Sequence, residues 1–138
     1  MNVTLAVLAD YSNITKEGKL NILGIFDVIL ARNFPAVHHS MQLVMRFEAP
    51  RSEVGTNKNV QVRLIDVDGN QIFEIGAQFA LTQGTPAETV IKSNHMLNLN
   101  NLVFQRPGDY AFHILVNGEE KNSVPLKVVQ LQQQLPQR

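Results

Sequence analysis

Arg106-Pro107-Gly108-Asp109-Tyr110-Ala111-Phe112-His113-Ile114-Leu115-Val116-Asn117-Gly118 is the stretch that decides the fold. Tyr110, Phe112, Ile114 and Val116 recur at every second position. A period of two is that of a β-strand, whose successive side chains point to opposite faces. Pro107-Gly108 supplies a turn before the run, and Asn117-Gly118 supplies one after it. Asn-Gly suits a type I′ turn, whose twist matches a pair of antiparallel strands. Beyond the turn, Val124, Leu126 and Val128 alternate again. The reading is strand, hairpin, strand. Tyr110 at the head of the first strand, just after a Pro-Gly turn, fits the tyrosine corner of Greek-key sandwiches. Its hydroxyl is expected to bond to backbone a few residues upstream.

The same period extends outward. Met41, Leu43, Met45 and Phe47 alternate in 41–48, Val60, Val62 and Leu64 in 60–64, and Phe73, Ile75, Ala77, Phe79 and Leu81 in 71–82. Asp68-Gly69 between two such runs predicts a second type I′ turn. Strand 1 is expected over 3–9 and strand 2 over 20–30, joined by a polar connection at 11–18. Loops are expected at 34–40 and 50–58, and a turn at 83–87. The window nearest to a helical period, 88–97, is rich in Thr, Val and Ile, which favour strands. About seven to nine strands with frequent turns predict an all-β protein. The expected architecture is an immunoglobulin-like antiparallel β-sandwich of Greek-key type, or a related jelly roll or barrel. Residues 1–130 form its single domain, and 131–138 a flexible polar tail. Tyr110, Gly69 and Gly118 are its structural markers.

Composition narrows the function classes. A chain of 138 residues buries roughly two-thirds of its unfolded surface, enough for a core without staples. Its hydrophobic fraction is 44%, and its mean hydropathy of −0.06 argues against a disordered or membrane-embedded chain. Twelve Lys plus Arg balance twelve Asp plus Glu, so no basic footprint for nucleic acid is expected. The absence of Cys excludes disulfides, a thiol nucleophile and cysteine-based metal sites. The opening Met1–Asp10 has no basic start and only a short apolar run. The expectation is a cytoplasmic protein with no membrane partner.

Three stretches together carry a resemblance: Leu8-Ala9-Asp10, Lys19 through Asp27, and Arg106 through Phe112 with Val124-Pro125-Leu126. Over about residues 2 to 130 the chain resembles a family of small bacterial proteins described only as a domain of unknown function. The resemblance implies a bacterial origin and a single β domain, and brings no activity or cofactor with it.

Catalytic and metal motifs fail on spacing. Asp66-Val67-Asp68-Gly69-Asn70 suggests a calcium loop, but the sixth and twelfth positions hold Gln71 and Ala77 rather than Gly and Glu. His38-His39 are adjacent and point apart in extended chain, while His95 and His113 are isolated. They are expected to be solvated or hydrogen-bonded, not ligands. No Ser lies in a Gly-x-Ser-x-Gly elbow, and the eight glycines are scattered. Asp10 and Asp27 are the acids set in apolar strands. They read as a strand-end cap and as an outward or hydrogen-bonded side chain. Asn94, Asn98, Asn100, Asn101 and Gln105 with His95 give an amide-rich strand, but sugar binding also wants aromatic platforms, and the chain has no Trp. No catalytic residue, metal or cofactor is expected.

Strands 1 and 2 carry the functional expectation. Strand 2 is apolar on both faces, with Leu23, Ile25 and Ile29 on one, broken by Asp27. A strand apolar on both faces is usually covered on both. Leu23, Ile25, Asp27 and Ile29 are therefore expected at an interface of a non-enzymatic assembly module. It would be a homo-oligomer, or would bind a further, unidentified protein. The alternative is a small-ligand or carbohydrate-binding module.

Overall fold

The computed structural model describes residues 1–82 and 89–132. Among the described residues nine strands run in order: β1 (Asn2–Ile14), β2 (Leu20–Phe26), β3 (Val28–Ala31), β4 (Ala36–Pro50), β5 (Asn57–Asp66), β6 (Gln71–Ala80), β7 (Val90–Phe104), β8 (Gly108–Val116) and β9 (Glu119–Gln130). One 3-10 turn, Arg51–Glu53, follows β4. The strands form two facing sheets, one ordered β2-β1-β4-β7 and the other β3-β9-β8-β5-β6. The fold is an all-β sandwich. The expected turn at 83–87 and most of the expected tail, 133–138, lie outside the described residues. The last described part of that tail begins bonded, because the Leu131 N–H donates to the Ala31 carbonyl at 2.8 Å.

The core follows the alternation. Met41, Leu43, Met45 and Phe47 of β4 face Val60, Val62 and Leu64 of β5 and Phe112 and Ile114 of β8. Phe112 is fully buried, with Phe73 edge-on at 6.2 Å between centroids. β4 and β7 pair along their whole lengths, from Ala36 opposite Phe104 to Pro50 opposite Val90. The region 88–97 that came nearest to a helical period is therefore mostly strand, held by this pairing. His38 and His39 also lie inside β4, not in a loop, and β1 runs through Asp10 to Ile14 rather than stopping at 9.

Two further expectations are corrected. The second sheet is mixed, because β3 runs parallel to β9 while the other pairs are antiparallel. The 66–70 hairpin is not a two-residue type I′ turn. Gly69 has φ +85°, but Asp68 does not share a positive φ. Gly69 instead ends a turn in which its N–H donates to the Asp66 carbonyl, 3.0 Å away. The Asp66 carboxylate accepts the Asp68 and Asn70 backbone N–H groups at 3.0 and 2.8 Å. Those side-chain bonds stabilise a longer loop over the tight one. At Asn117-Gly118 both residues have positive φ, +50° and +82°, as a type I′ turn requires.

The Tyr110 hydroxyl donates to the Arg106 carbonyl at 2.6 Å. Its ring meets Phe104 edge-on at 5.0 Å. Tyr110→Phe should lower stability by about 1 kcal/mol, since the half-buried bond to the Arg106 carbonyl is lost. Urea midpoints of the two proteins measure this, and coincident midpoints would show that the bond contributes nothing.

Candidate functional site

The residues expected at an interface lie where the chain leaves one sheet for the other. β2 is the edge of the first sheet, β3 is the edge of the second, and Asp27 is the single residue between them. The Asp27 carbonyl accepts the Lys127 N–H at 2.8 Å, which starts the parallel β3–β9 pairing. Its side chain is exposed. The crossing reverses the alternation. Leu23 and Ile25, on β2, are 60% and 62% exposed. Past the bend Ile29 turns inward and is 7% exposed, within the main core. Val28 and Leu30 turn outward in its place. The expected grouping of Ile29 with Leu23 and Ile25 is thus corrected: the strand does not run straight through 20–30. A single uninterrupted strand would have kept all three on one face.

A groove of about 410 Å³ sits at this corner, lined by Ile25, Phe26, Val28 and Leu30 together with Asp10, Gly24 and His38. Asp10 is in mid-strand, opposite Gly24 in the β1–β2 register, and not a strand-end cap. Gly24 has φ +71°, and a Cβ placed there would come within 2.5 Å of the Asp10 carboxylate. The glycine lets the carboxylate lie over the neighbouring strand. His38 stacks obliquely on Phe26, with centroids 5.8 Å apart, and its buried Nε2 has no hydrogen-bond partner. Burial lowers the His38 pKa, and the Asp10 charge partly offsets this. The sequence held one signal for this groove, a Gly within an apolar strand, which marks a close approach of side chain or backbone.

Several of the polar residues considered for chemistry are engaged by neighbouring side chains. Arg46 Nε donates to Asn94, and Gln42 Nε2 to Asn98, both at 2.9 Å. Ser12 donates to Gln42 in turn. His39 lies 3.3 Å from Asn101, away from His38. His113 pairs with Glu120, and Ser93 with His95 at 2.8 Å. Arg106 holds both loop carboxylates, Asp66 and Asp68, so a cation there would have to displace a guanidinium. Among the described residues no three His, Asp or Glu side chains converge as a metal site. None of their helices is long and apolar enough to cross a membrane.

A model of a family of unknown function, DUF6941, matches residues 4–129. The chain belongs to this family. No curated protein matches it. Among solved structures it is similar to the alkylpurine DNA glycosylase AlkC of Pseudomonas fluorescens, bound to DNA containing an abasic site analog. The identity is 14% and the TM-score 0.46, over 89% of this chain and 30% of that one. This family member therefore spans less than a third of the glycosylase chain, and at that TM-score the likeness bears on neither chemistry nor partners.

Burial lowers the pKa of His95 as it does that of His38. A folded-state pKa below the unfolded value means that the native state prefers the neutral ring. The contribution is complete above the unfolded value of 6.5 and is lost as pH falls from there through the lower folded-state value. The carboxylates Glu53 and Asp66, also lowered, act below their ordinary values of 4.5 and 3.8. Urea midpoints should therefore hold level above about pH 6.5 and fall as pH drops below it, and His95→Gln should flatten the decline. Equal slopes in both proteins would remove His95 from the account.

Proposed function

We propose that this family member is a non-enzymatic bacterial module of the cytoplasm, acting through protein–protein contact and assembling with copies of itself at the β2–β3 corner. The observation that carries this reading is the exposure of Leu23 and Ile25, with Leu30 beyond the bend at 58%. Contiguous exposed apolar side chains mark interaction surfaces, whereas scattered ones do not. Ile25, Val28 and Leu30 share one groove, and Leu23 lies beside the exposed Tyr11 in the register. Burying Leu23, Ile25 and Leu30 would contribute about 5 kcal/mol before association costs. The ligand-binding alternative has less support, since Asn94 and Asn98 are bonded to β4.

Sedimentation velocity tests the assembly. The wild type should sediment as a dimer or larger species at micromolar concentration. Leu23→Lys with Ile25→Lys should sediment as a 15.4 kDa monomer with an unchanged circular dichroism spectrum, because changes at exposed positions cost little stability. A wild type that stays monomeric up to about 100 μM, near the weak end of specific association, would falsify the proposal.

A further inference from the structure

The two sheets are unequal, and the mismatch falls on the side of the sandwich opposite the β2–β3 corner. There β7 ends a four-stranded sheet and β6 ends a five-stranded one. At the corner side β1 packs across β9. Counting outward from that pair, β6 lies beyond β7: its Phe79 end packs back on Phe47 of β4 and His95 of β7, while 74–78 is exposed and reaches past the edge of the opposite layer. Ile75 pairs with Val62 and shares the inward face, yet it is 40% exposed. An apolar cleft of about 210 Å³ opens there, between Val60, Val62, Ile75 and Ala77 of one sheet and Met45 and Leu97 of the other. At one end Phe79 closes it against His95, with centroids 4.6 Å apart.

The backbone beside this cleft is also unsatisfied. Among the described residues β7 pairs with β4 alone. An antiparallel strand with one neighbour turns about half of its N–H and C=O groups outward. Natural edges discourage further pairing with lysines, prolines and bulges. β7 has no proline and a single lysine, Lys92, near its start. Asn101, with φ +53°, lies near its other end. Between them 93–100 is regular strand.

From this juxtaposition we infer that β7 accepts an extended segment of a partner protein as a fifth strand, whose alternate apolar side chains fill the cleft over β6. The unpaired backbone row specifies a strand, because an extended chain supplies matching donors and acceptors along it. The cleft specifies the apolar face. A cavity of about 150 Å³ holds a benzene ring, so this one takes about two aliphatic side chains. The overhang specifies a lone strand rather than a second copy of the domain. Pairing β7 with its twofold mate would bring the two β6 strands into the same space. The incoming segment is apolar at alternate positions and polar between them, since its outer face meets water. This inference is independent of assembly at the β2–β3 corner.

The test pans a random dodecapeptide library displayed on phage against the intact protein. Phage that also bind Ala77→Arg are subtracted. Ala77 is exposed on the cleft wall, so arginine there obstructs the cleft without entering the core. Ile75→Lys serves in its place if that variant does not fold. Selected peptides should carry apolar residues at alternate positions. As synthetic peptides they should slow amide exchange in 93–100, and lose about tenfold or more in affinity to the cleft variant. An empty selection, peptides without the alternation, or protection confined to other strands overturns the inference. So does slow exchange of the outward β7 amides in the free protein, since the edge would then already be covered. Protection that falls on dilution would make the occupant a second copy, and overturns the lone strand.

Discussion

Ile29→Lys should abolish the cooperative unfolding transition, whereas Leu23→Lys and Ile25→Lys, a few residues away, should leave it intact. Ile29 is 7% exposed and packs in the main core. Removing a buried Ile side chain costs about 2–5 kcal/mol in lost transfer energy and cavity. Lysine adds the cost of a charge without a partner in an apolar setting. Together these approach the whole stability of a typical domain, about 5–15 kcal/mol. Leu23 and Ile25, at 60% and 62% exposure, have little burial to lose. Thermal melts followed by circular dichroism separate the cases. An Ile29→Lys protein that melts with the wild type would place Ile29 outside the core. It would also restore the straight strand that the sequence alone suggested.

The second large effect is expected at Gly24. Its φ of +71° is a conformation that β-branched residues rarely adopt, and its Cβ position is occupied by the Asp10 carboxylate. Gly24→Val should cost about 2 kcal/mol or more, from left-handed backbone and crowding together. For a domain of this size that lowers Tm by roughly 5–10 °C. Adding Asp10→Ala should recover the crowding part and leave the backbone part. If Asp10→Ala restores nothing, the carboxylate does not lie over the glycine. If it restores everything, the backbone at Gly24 relaxes without cost.

These two positions show where sequence reading stops. Alternation assigns faces within a strand, and for the runs 41–47 of β4, 60–64 of β5, 110–114 of β8 and 124–128 of β9 it assigned them correctly, since each of those runs keeps one period. At 20–30 it failed. The chain changes sheets at Asp27, and the change exchanges inside for outside between Ile25 and Ile29. Nothing local announces this, because Val28-Ile29-Leu30 is apolar at every position. Histidine placement failed for a similar reason. His38 follows Phe34-Pro35 and resembles a loop residue in isolation, but pairing with β7 draws it into β4. At Asp68-Gly69 the dipeptide marked a turn and not its length, because side-chain bonds from Asp66 decided the rest.

By itself the sequence determined the class: a period of two over most of the chain, punctuated by Gly turns, makes strands whatever their partners. It also determined which residues of each regular strand could form a core, and that Tyr110 follows a Pro-Gly turn. Only the tertiary structure decided which strands end the sheets, that one sheet has a strand more than the other, and that Leu23 and Ile25 are exposed while Ile29 is buried. Pairing, layering and edges depend on contacts between residues far apart in the chain. The local hydrophobic pattern is the same for an edge strand as for a central one, so it carries no record of them.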